Sequence, residues 1–272
     1  AISSIMLGIP GASTAVATTF DGRPMALKGM ADKALVGAAA ASFVGGTISI
    51  ILFTAFAPPL ADVALAFGPP EEFALMMLAF ATFIGLGGDD IPKTFFSIFI
   101  GLVMSSVGLD IISGNPRLIF MDLPGFYHGI NFLVLAIGIY GIGEMLWTVE
   151  QAKGDVIVTK VTVTVRGIIE ALKDLRKTKK VMFMGSILGF FVGILPAAGA
   201  TPGSLMAYGV ARTMSKDPDS FGKGNIEGVV APEAANNAAS TGSMLPMLTL
   251  GIPGSPTTAI LLGGMVIWGL EP

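Results

Sequence analysis

The chain has 272 residues, of which 53% are hydrophobic and 13% charged, and its 16 Lys and Arg against 19 Asp and Glu leave a net charge of −3. Soluble domains are about a quarter charged, so this composition, with a mean hydropathy of +0.77, argues against a soluble domain and for an integral membrane protein. The lack of cysteine removes disulfides and thiolate metal sites, and a single histidine, His128, argues against a histidine metal cluster or a Ser-His-Asp triad.

Long continuous apolar runs do not fit a β-barrel, whose strands alternate in polarity. The 36 glycines suit helices that approach closely in lipid. The expected fold is therefore all-α, a polytopic transmembrane helical protein with broken or re-entrant helices. No catalytic residue, cofactor or nucleic-acid partner is expected.

Ala1 to Thr19 reads as a segment broken around Pro10, and the charged stretch Phe20 to Lys33, with Asp21, Arg23, Lys28, Asp32 and Lys33, as a solvent loop. Ala34 to Ala57 is a full span, ended by Pro58-Pro59. Glu71 to Gly87, Lys93 to Leu109 and Tyr127 to Trp147 are the next three. Asp89-Asp90 reads as a solvated turn, because an intramembrane aspartyl protease needs a second aspartate nearby and Asp110 falls on the opposite side.

Val156 to Val165 alternates like a short strand, and Gly167 to Lys180 resembles an amphipathic helix. The loops around Arg23, Lys93 and Lys153 to Lys180 hold twelve of the sixteen Lys and Arg (three, one and eight). The opposite loops hold only Arg117, so the positive-inside rule makes the crowded side cytoplasmic.

Val181 to Arg212 is interrupted at Pro196 to Gly203. Its 32 residues would span about 48 Å if straight, too long for one crossing and too short for two. A re-entrant hairpin fits, the alternative being a tilted, kinked crossing. The polar run Pro232 to Thr241 follows, either a site or a capped, exposed loop in which Glu233 caps a helix N-terminus. The second interruption is Leu250-Gly251-Ile252-Pro253-Gly254-Ser255-Pro256-Thr257-Thr258.

Proline removes a backbone donor and glycine weakens helical preference, so each interruption leaves unpaired N–H and C=O groups. At membrane depth these survive only inside protein or beside a watery cavity, the arrangement that builds solute sites in secondary carriers. Either break alone is equally well a kink. Leu7-Gly8-Ile9-Pro10-Gly11, however, repeats Leu250-Gly251-Ile252-Pro253-Gly254 at an offset of 243 positions (253 − 10), which points to an internal repeat and to the breaks as a binding site.

The run LPAAGATPGSLMAYGVARTMSKDPDSFGKGNIEGVVAPEAANNAA, then LTLGIPGSPTTAILLGG, resembles the large membrane subunit of bacterial tripartite tricarboxylate transporters. GIPGASTAVATTFDGRPMALKG and LAFGPPEEFALMMLAF resemble that family's first half. The resemblance implies the permease subunit of an ion-coupled importer of citrate or related carboxylates in the bacterial inner membrane. Its implied partners are a small membrane subunit and a periplasmic solute-binding protein, and the amide and hydroxyl oxygens of Pro232 to Thr241, hard ligands, suit Na⁺ as the coupling ion. Another organic-anion carrier, or an intramembrane enzyme, is the alternative.

Residues 1–150 then form the C-terminal part of a first repeat, 151–180 a cytoplasmic connector, and 181–272 the N-terminal part of a second, in a chain expected to be a fragment. The expected solute contacts are Pro10, Gly11, Ser13 and Thr14 from the first break, Gly199, Thr201 and Ser204 from the second, and Gly254, Ser255, Thr257 and Thr258 from the third. Helix N-termini would attract the anion without a buried arginine. Asn236 and Asn237 are the expected Na⁺ ligands.

Overall fold

A computed structural model describes residues 1–65, 91–110, 175–195 and 198–270 without interruption, with shorter pieces between 68 and 174. Among the described residues the fold is all-α apart from one two-residue ladder. Helix α1 (Ile2–Leu7) and a 3₁₀ turn (Ser13–Ala15) lead into α2 (Val16–Leu27) and α3 (Ala31–Leu65). Helix α4 (Ile91–Ser105) precedes β1 (Gly108–Leu109), which pairs antiparallel with β2 (Pro116–Arg117). The second half comprises α5 (Lys179–Ile194), α6 (Ala200–Met214), α7 (Glu227–Gly242), α8 (Met244–Leu250) and α9 (Pro256–Ile267).

Three expectations change. The charged stretch from Phe20 to Lys33 is the end of α2 and the start of α3, with only Lys28 to Met30 outside helix. It is not a solvent loop, because Asp21 is fully buried and accepts four hydrogen bonds, as described below. Pro58-Pro59 does not end the first span, since α3 continues through both to Leu65. Both prolines lie on the exposed side of the helix, where lost i→i−4 bonds bend a helix without breaking its packed face. Pro232 to Thr241 is neither an exposed loop nor a helix start. It is the interior of α7, buried from Gly228 to Ala235, with Glu233 well past its first turn.

Among the described residues, Ala31–Asp62 is the one helix long and apolar enough to cross a membrane, with a mean hydropathy of 2.0, and α4 and α9 are shorter apolar helices. The span expected over Lys93 to Leu109 stops at Ser105, and Tyr127 lies in a 3₁₀ turn over Pro124–His128. Most of Glu71 to Gly87, all of Val156 to Val165, residues 167, 170, 171 and 174 of the expected amphipathic helix and the Asp89-Asp90 pair lie outside the described residues.

Helix α7 is the centre of the fold, and small residues put it there. Gly185, Gly189 and Gly193 form one face of α5. A Cβ at these positions would lie 2.6, 2.2 and 2.3 Å from the carbonyl oxygens of Ala231, Ala235 and Ala239. The constant offset of 46 positions (231 − 185) shows that α5 and α7 run parallel, backbone against backbone, as small-residue stripes permit where lipid provides no hydrophobic drive between helices. On another side, Gly45 of α3 meets the Ala234 carbonyl at 2.3 Å in the same construction.

Helix α6 turns back along α5. Val181, near the start of α5, packs with Ala207 and Ala211 of α6 in one cluster, while Gly203 sits beside Gly189. The pair is therefore a helical hairpin that reverses between Leu195 and Gly199, and not a kinked crossing; Pro196 and Ala197 lie outside the described residues. Helix α2 runs antiparallel to α7. Lys33, Lys177, Lys180 and Lys216 line one cavity of about 880 Å³ at the open end of the hairpin, so lysines far apart in sequence share one end of the bundle.

Candidate functional site

The breaks at Pro10 and Pro253 have nearly the same backbone. Helix α1 ends at Gly8 with φ 73° and ψ 13°, and α8 ends at Gly251 with φ 68° and ψ 15°. Glycine accepts this left-handed end without a Cβ penalty, and the proline two residues on prevents the helix from resuming. Each chain then passes through an extended residue, Ala12 (φ −157°, ψ 158°) or Ser255 (φ −154°, ψ 162°), and starts a new helix. At the Pro196 break α6 starts after Gly199, whose φ of 62° and ψ of −165° fall in a region that only glycine occupies readily.

The three new helix starts converge on one cavity of about 730 Å³, within the range of about 300–1,000 Å³ usual for small-molecule sites. The first break contributes Ser13 and Thr14, the second Gly199 and Thr201, and the third Ser255, Thr257 and Thr258. Helix α7 adds Asn236, Ser240 and Thr241 along its last turns. Two hydrogen bonds join the breaks to one another. The Thr201 hydroxyl donates to Ser13 Oγ at 3.1 Å, and the Gly199 N–H donates to the Gly254 carbonyl at 2.9 Å.

No Lys, Arg, Asp or Glu is among the described residues lining this cavity. Its electrostatics come instead from helix starts, each of which carries about half a positive charge on its first-turn N–H groups. Hydroxyls and small side chains let an anion approach those N–H groups, so the arrangement can hold a carboxylate without a cation.

Five expected contacts lie elsewhere. Gly254 is behind the wall, where a Cβ would meet the Gly193 carbonyl at 2.8 Å. Pro10 and Gly11 are on the far side of the turn that carries Ser13, outside the lining. Ser204 is 1% exposed, with an Oγ that has no partner among the described residues. The Asn237 amide Nδ2 donates to the carbonyl of Glu233 at 2.9 Å, within α7.

Ser255 and Thr258 line the cavity and also cap α9. Thr258 N donates to Ser255 Oγ at 3.2 Å, and Ser255 N donates to Thr258 Oγ1 at 2.9 Å, a reciprocal capping box. Thr14, Thr241 and Thr257 have no hydroxyl partner among the described residues, and they are the donors most open to a solute. Ser240 and Thr241 were visible in the sequence as part of the polar run, but only the fold shows that this run is a wall.

The tripartite tricarboxylate transporter TctA family model matches residues 1–272. The chain belongs to that family. It is 37% identical over 270 residues to an uncharacterised 52.8 kDa protein of the TAR-I ttuC' 3' region of Agrobacterium vitis, covering 99% of this chain and 53% of that protein. A protein of the TAR-II ttuC' 3' region of the same organism is 45% identical over 84 residues, 31% of this chain and 35% of that protein. The chain thus spans about half the length of the longer relative, 53%. No solved structure matches it.

In this TctA-family chain two buried carboxylates stand behind the cavity. Asp21 Oδ1 accepts from the N–H groups of Gly224 (2.7 Å) and Asn225 (2.8 Å), and Oδ2 from the Gly222 N–H (3.0 Å) and the Tyr208 hydroxyl (2.9 Å). It thereby ties the loop before α7 to α2 and α6, and Gly228 must be glycine, since a Cβ would sit 2.1 Å from Oδ2. Glu233 is 3% exposed. Its Oε1 accepts from the Thr18 hydroxyl at 2.6 Å and its Oε2 from the Ser42 hydroxyl at 3.3 Å, joining α7, α2 and α3. Sequence reasoning missed Thr18 and Ser42 as partners because they lie 215 and 191 positions from Glu233.

Proposed function

We propose that this chain is part of the permease subunit of an ion-coupled tripartite importer of citrate or related carboxylates. It would span the bacterial inner membrane several times and work with a small membrane subunit and a periplasmic solute-binding protein. The observation that carries this reading is the convergence of three helix starts on a hydroxyl-lined cavity with no charged side chain among the described residues that line it. Membership of the TctA family supplies the solute class and the partners. The matching dihedral angles at Gly8 and Gly251, and at Ala12 and Ser255, support two related halves, divided at the connector 151–180.

The clustering of Lys33, Lys177, Lys180 and Lys216 at one end supports a cytoplasmic face there. From Thr14 at the cavity to Lys28 is fourteen positions (28 − 14), about 21 Å at a helical rise of about 1.5 Å. That depth supports a solute site near the middle of the bilayer. Sodium is the proposed coupling ion. Asn236 would offer an amide oxygen at the cavity wall, and Asn237, whose nitrogen is engaged within α7, would offer its oxygen.

The test is uptake of radiolabelled citrate and other carboxylates by vesicles that contain the intact protein and its two partners, with and without Na⁺. Na⁺-stimulated uptake that requires the binding protein is the expected result. The double variant Thr201→Val/Thr257→Val should lower uptake at limiting solute about tenfold, the loss of one to two hydrogen bonds to a charged group, with unchanged amounts of folded protein. Uptake that proceeds at the parental rate in this variant places the site outside the cavity.

A further inference from the structure

Glu233 has a feature that the solute cavity does not explain. It is 3% exposed in the centre of the fold, and among the described residues its two carboxylate oxygens meet only hydroxyls, Thr18 Oγ1 and Ser42 Oγ. Among the described residues no Lys or Arg contacts it, and the nearest engaged amide, Asn237 Nδ2, goes to its main-chain carbonyl. Asp21, three positions beyond Thr18 on the same helix, satisfies its charge with four donors. Glu233 has two, both neutral. A carboxylate removed from water with so little compensation is satisfied either by a proton or by a bound cation.

The donor set selects among cations. The carboxylate and the two hydroxyls supply four hard oxygens, the ligand type of alkali and alkaline-earth ions rather than of soft metals. With one carboxylate the site balances one positive charge, and a divalent ion would leave an uncompensated charge buried. The oxygens come from three helices, α2, α3 and α7, so an ion held among them fixes those helices relative to one another.

Depth and position relate this to the cavity. Thr18, in the first turn of α2, is four positions after cavity-lining Thr14 of the 3₁₀ turn, and Glu233 is three positions before cavity-lining Asn236 on α7. From Thr18 to Lys28 is ten positions (28 − 18), about 15 Å of helix and about half the hydrocarbon thickness. Ionisable residues at such depth mark ion and proton pathways.

We propose that Glu233, with Thr18 and Ser42, holds a sodium ion one helical turn beneath the solute cavity, a site separate from the Asn236 and Asn237 oxygens, which would take an ion only beside a bound carboxylate. The ion draws α2 and α7 together under the walls formed by Thr14 and Asn236. Each ligand then raises the affinity for the other, since binding coupling is reciprocal. This role in coupling rests on the carrier reading, whereas the binding of the ion does not.

The test uses the full-length protein in detergent without carboxylate, followed by thermal unfolding in NaCl and in KCl at equal ionic strength. The parent should show a Na⁺-specific rise in Tm that grows with Na⁺ concentration, as ligand binding to the native state requires. Ser42→Ala, a mild change at the longer contact, should raise the Na⁺ concentration for half the effect about tenfold, and Glu233→Gln should abolish the effect. A Na⁺ response identical to the parent's in Ser42→Ala and in Glu233→Gln overturns the proposal. So does a parent that does not distinguish Na⁺ from K⁺, or one in which lowering the pH in KCl replaces Na⁺ and so reveals a proton site. If Glu233→Gln does not fold, Ser42→Ala decides alone. A Na⁺ response in the parent, lost in the variants, together with no carboxylate uptake in the three-component vesicles, would uphold the ion site and refute the carrier reading.

Discussion

Helices α3 and α7 invert the usual relation between hydrophobicity and burial. Helix α3 has 35 residues and carries Phe43, Ile50 and Ile51 with 76%, 60% and 63% of their surfaces exposed. Helix α7 has 16 residues, seven of them Ala or Gly, with two glutamates, two asparagines, a serine and a threonine, and most of it lies buried at the centre. In water the long apolar helix would be the core. Where apolar side chains face lipid at no cost, the core goes to the helix whose backbone its neighbours can approach most closely. Apolarity here marks the outside of the fold, and smallness marks the inside.

The strongest way to break this comparison is to add bulk at the α5–α7 contact. Gly189→Leu places a side chain where even a Cβ would be 2.2 Å from the Ala235 carbonyl, whereas at Gly46 of α3 nothing lies within 4 Å. Gly189→Leu should cost about 3 kcal/mol or more, read as loss of the monodisperse protein peak after detergent extraction, and Gly46→Leu should leave that peak intact. A folded Gly189→Leu protein would show that α5 and α7 are not in backbone contact.

The polar interior provides the next contrast. Asp21→Asn replaces one carboxylate oxygen by an NH2 that faces either the N–H groups of Gly224 and Asn225 or the Gly222 N–H and the Tyr208 hydroxyl, and should cost about 2 kcal/mol. Asp32→Asn, at the half-buried start of α3, should cost less than about 0.5 kcal/mol. Thermal unfolding of the two variants side by side measures the difference, and equal Tm values would return Asp21 to the solvent-loop role that its sequence context suggests.

The smallest expected effect sharpens the other side of the comparison. Phe43→Ala on the exposed face of α3 should change stability in lipid by less than about 1 kcal/mol, against about 3 kcal/mol or more for Phe190→Ala, whose ring is fully buried. Urea or detergent-denaturation midpoints in reconstituted protein compare them. A large loss in Phe43→Ala would mean that α3 has a protein neighbour on that face.

Much of this protein was legible in its sequence because the relevant signals are local. An all-α membrane fold follows from composition, and the breaks at Pro10, Pro196 and Pro253 follow from proline and glycine chemistry, which acts within a few residues of itself. The length of Val181 to Arg212 favours a hairpin but leaves a kinked crossing open, and the packing of α6 back along α5 decides between them. The convergence of Ser13, Thr201 and Thr257 was readable only as an expectation from repeated motifs.

Tertiary structure decided what depends on partners far along the chain. Asp21 looks like a surface charge until the N–H groups of residues 222 to 225 close on it, and a run such as PEAANNAAST reads as a loop until glycine faces of α3 and α5 enclose it. Pairings such as Thr18 with Glu233, 215 positions apart, leave no periodicity or spacing in the sequence. A residue type states what a side chain can bond to, and only the packed fold states which partner reaches it.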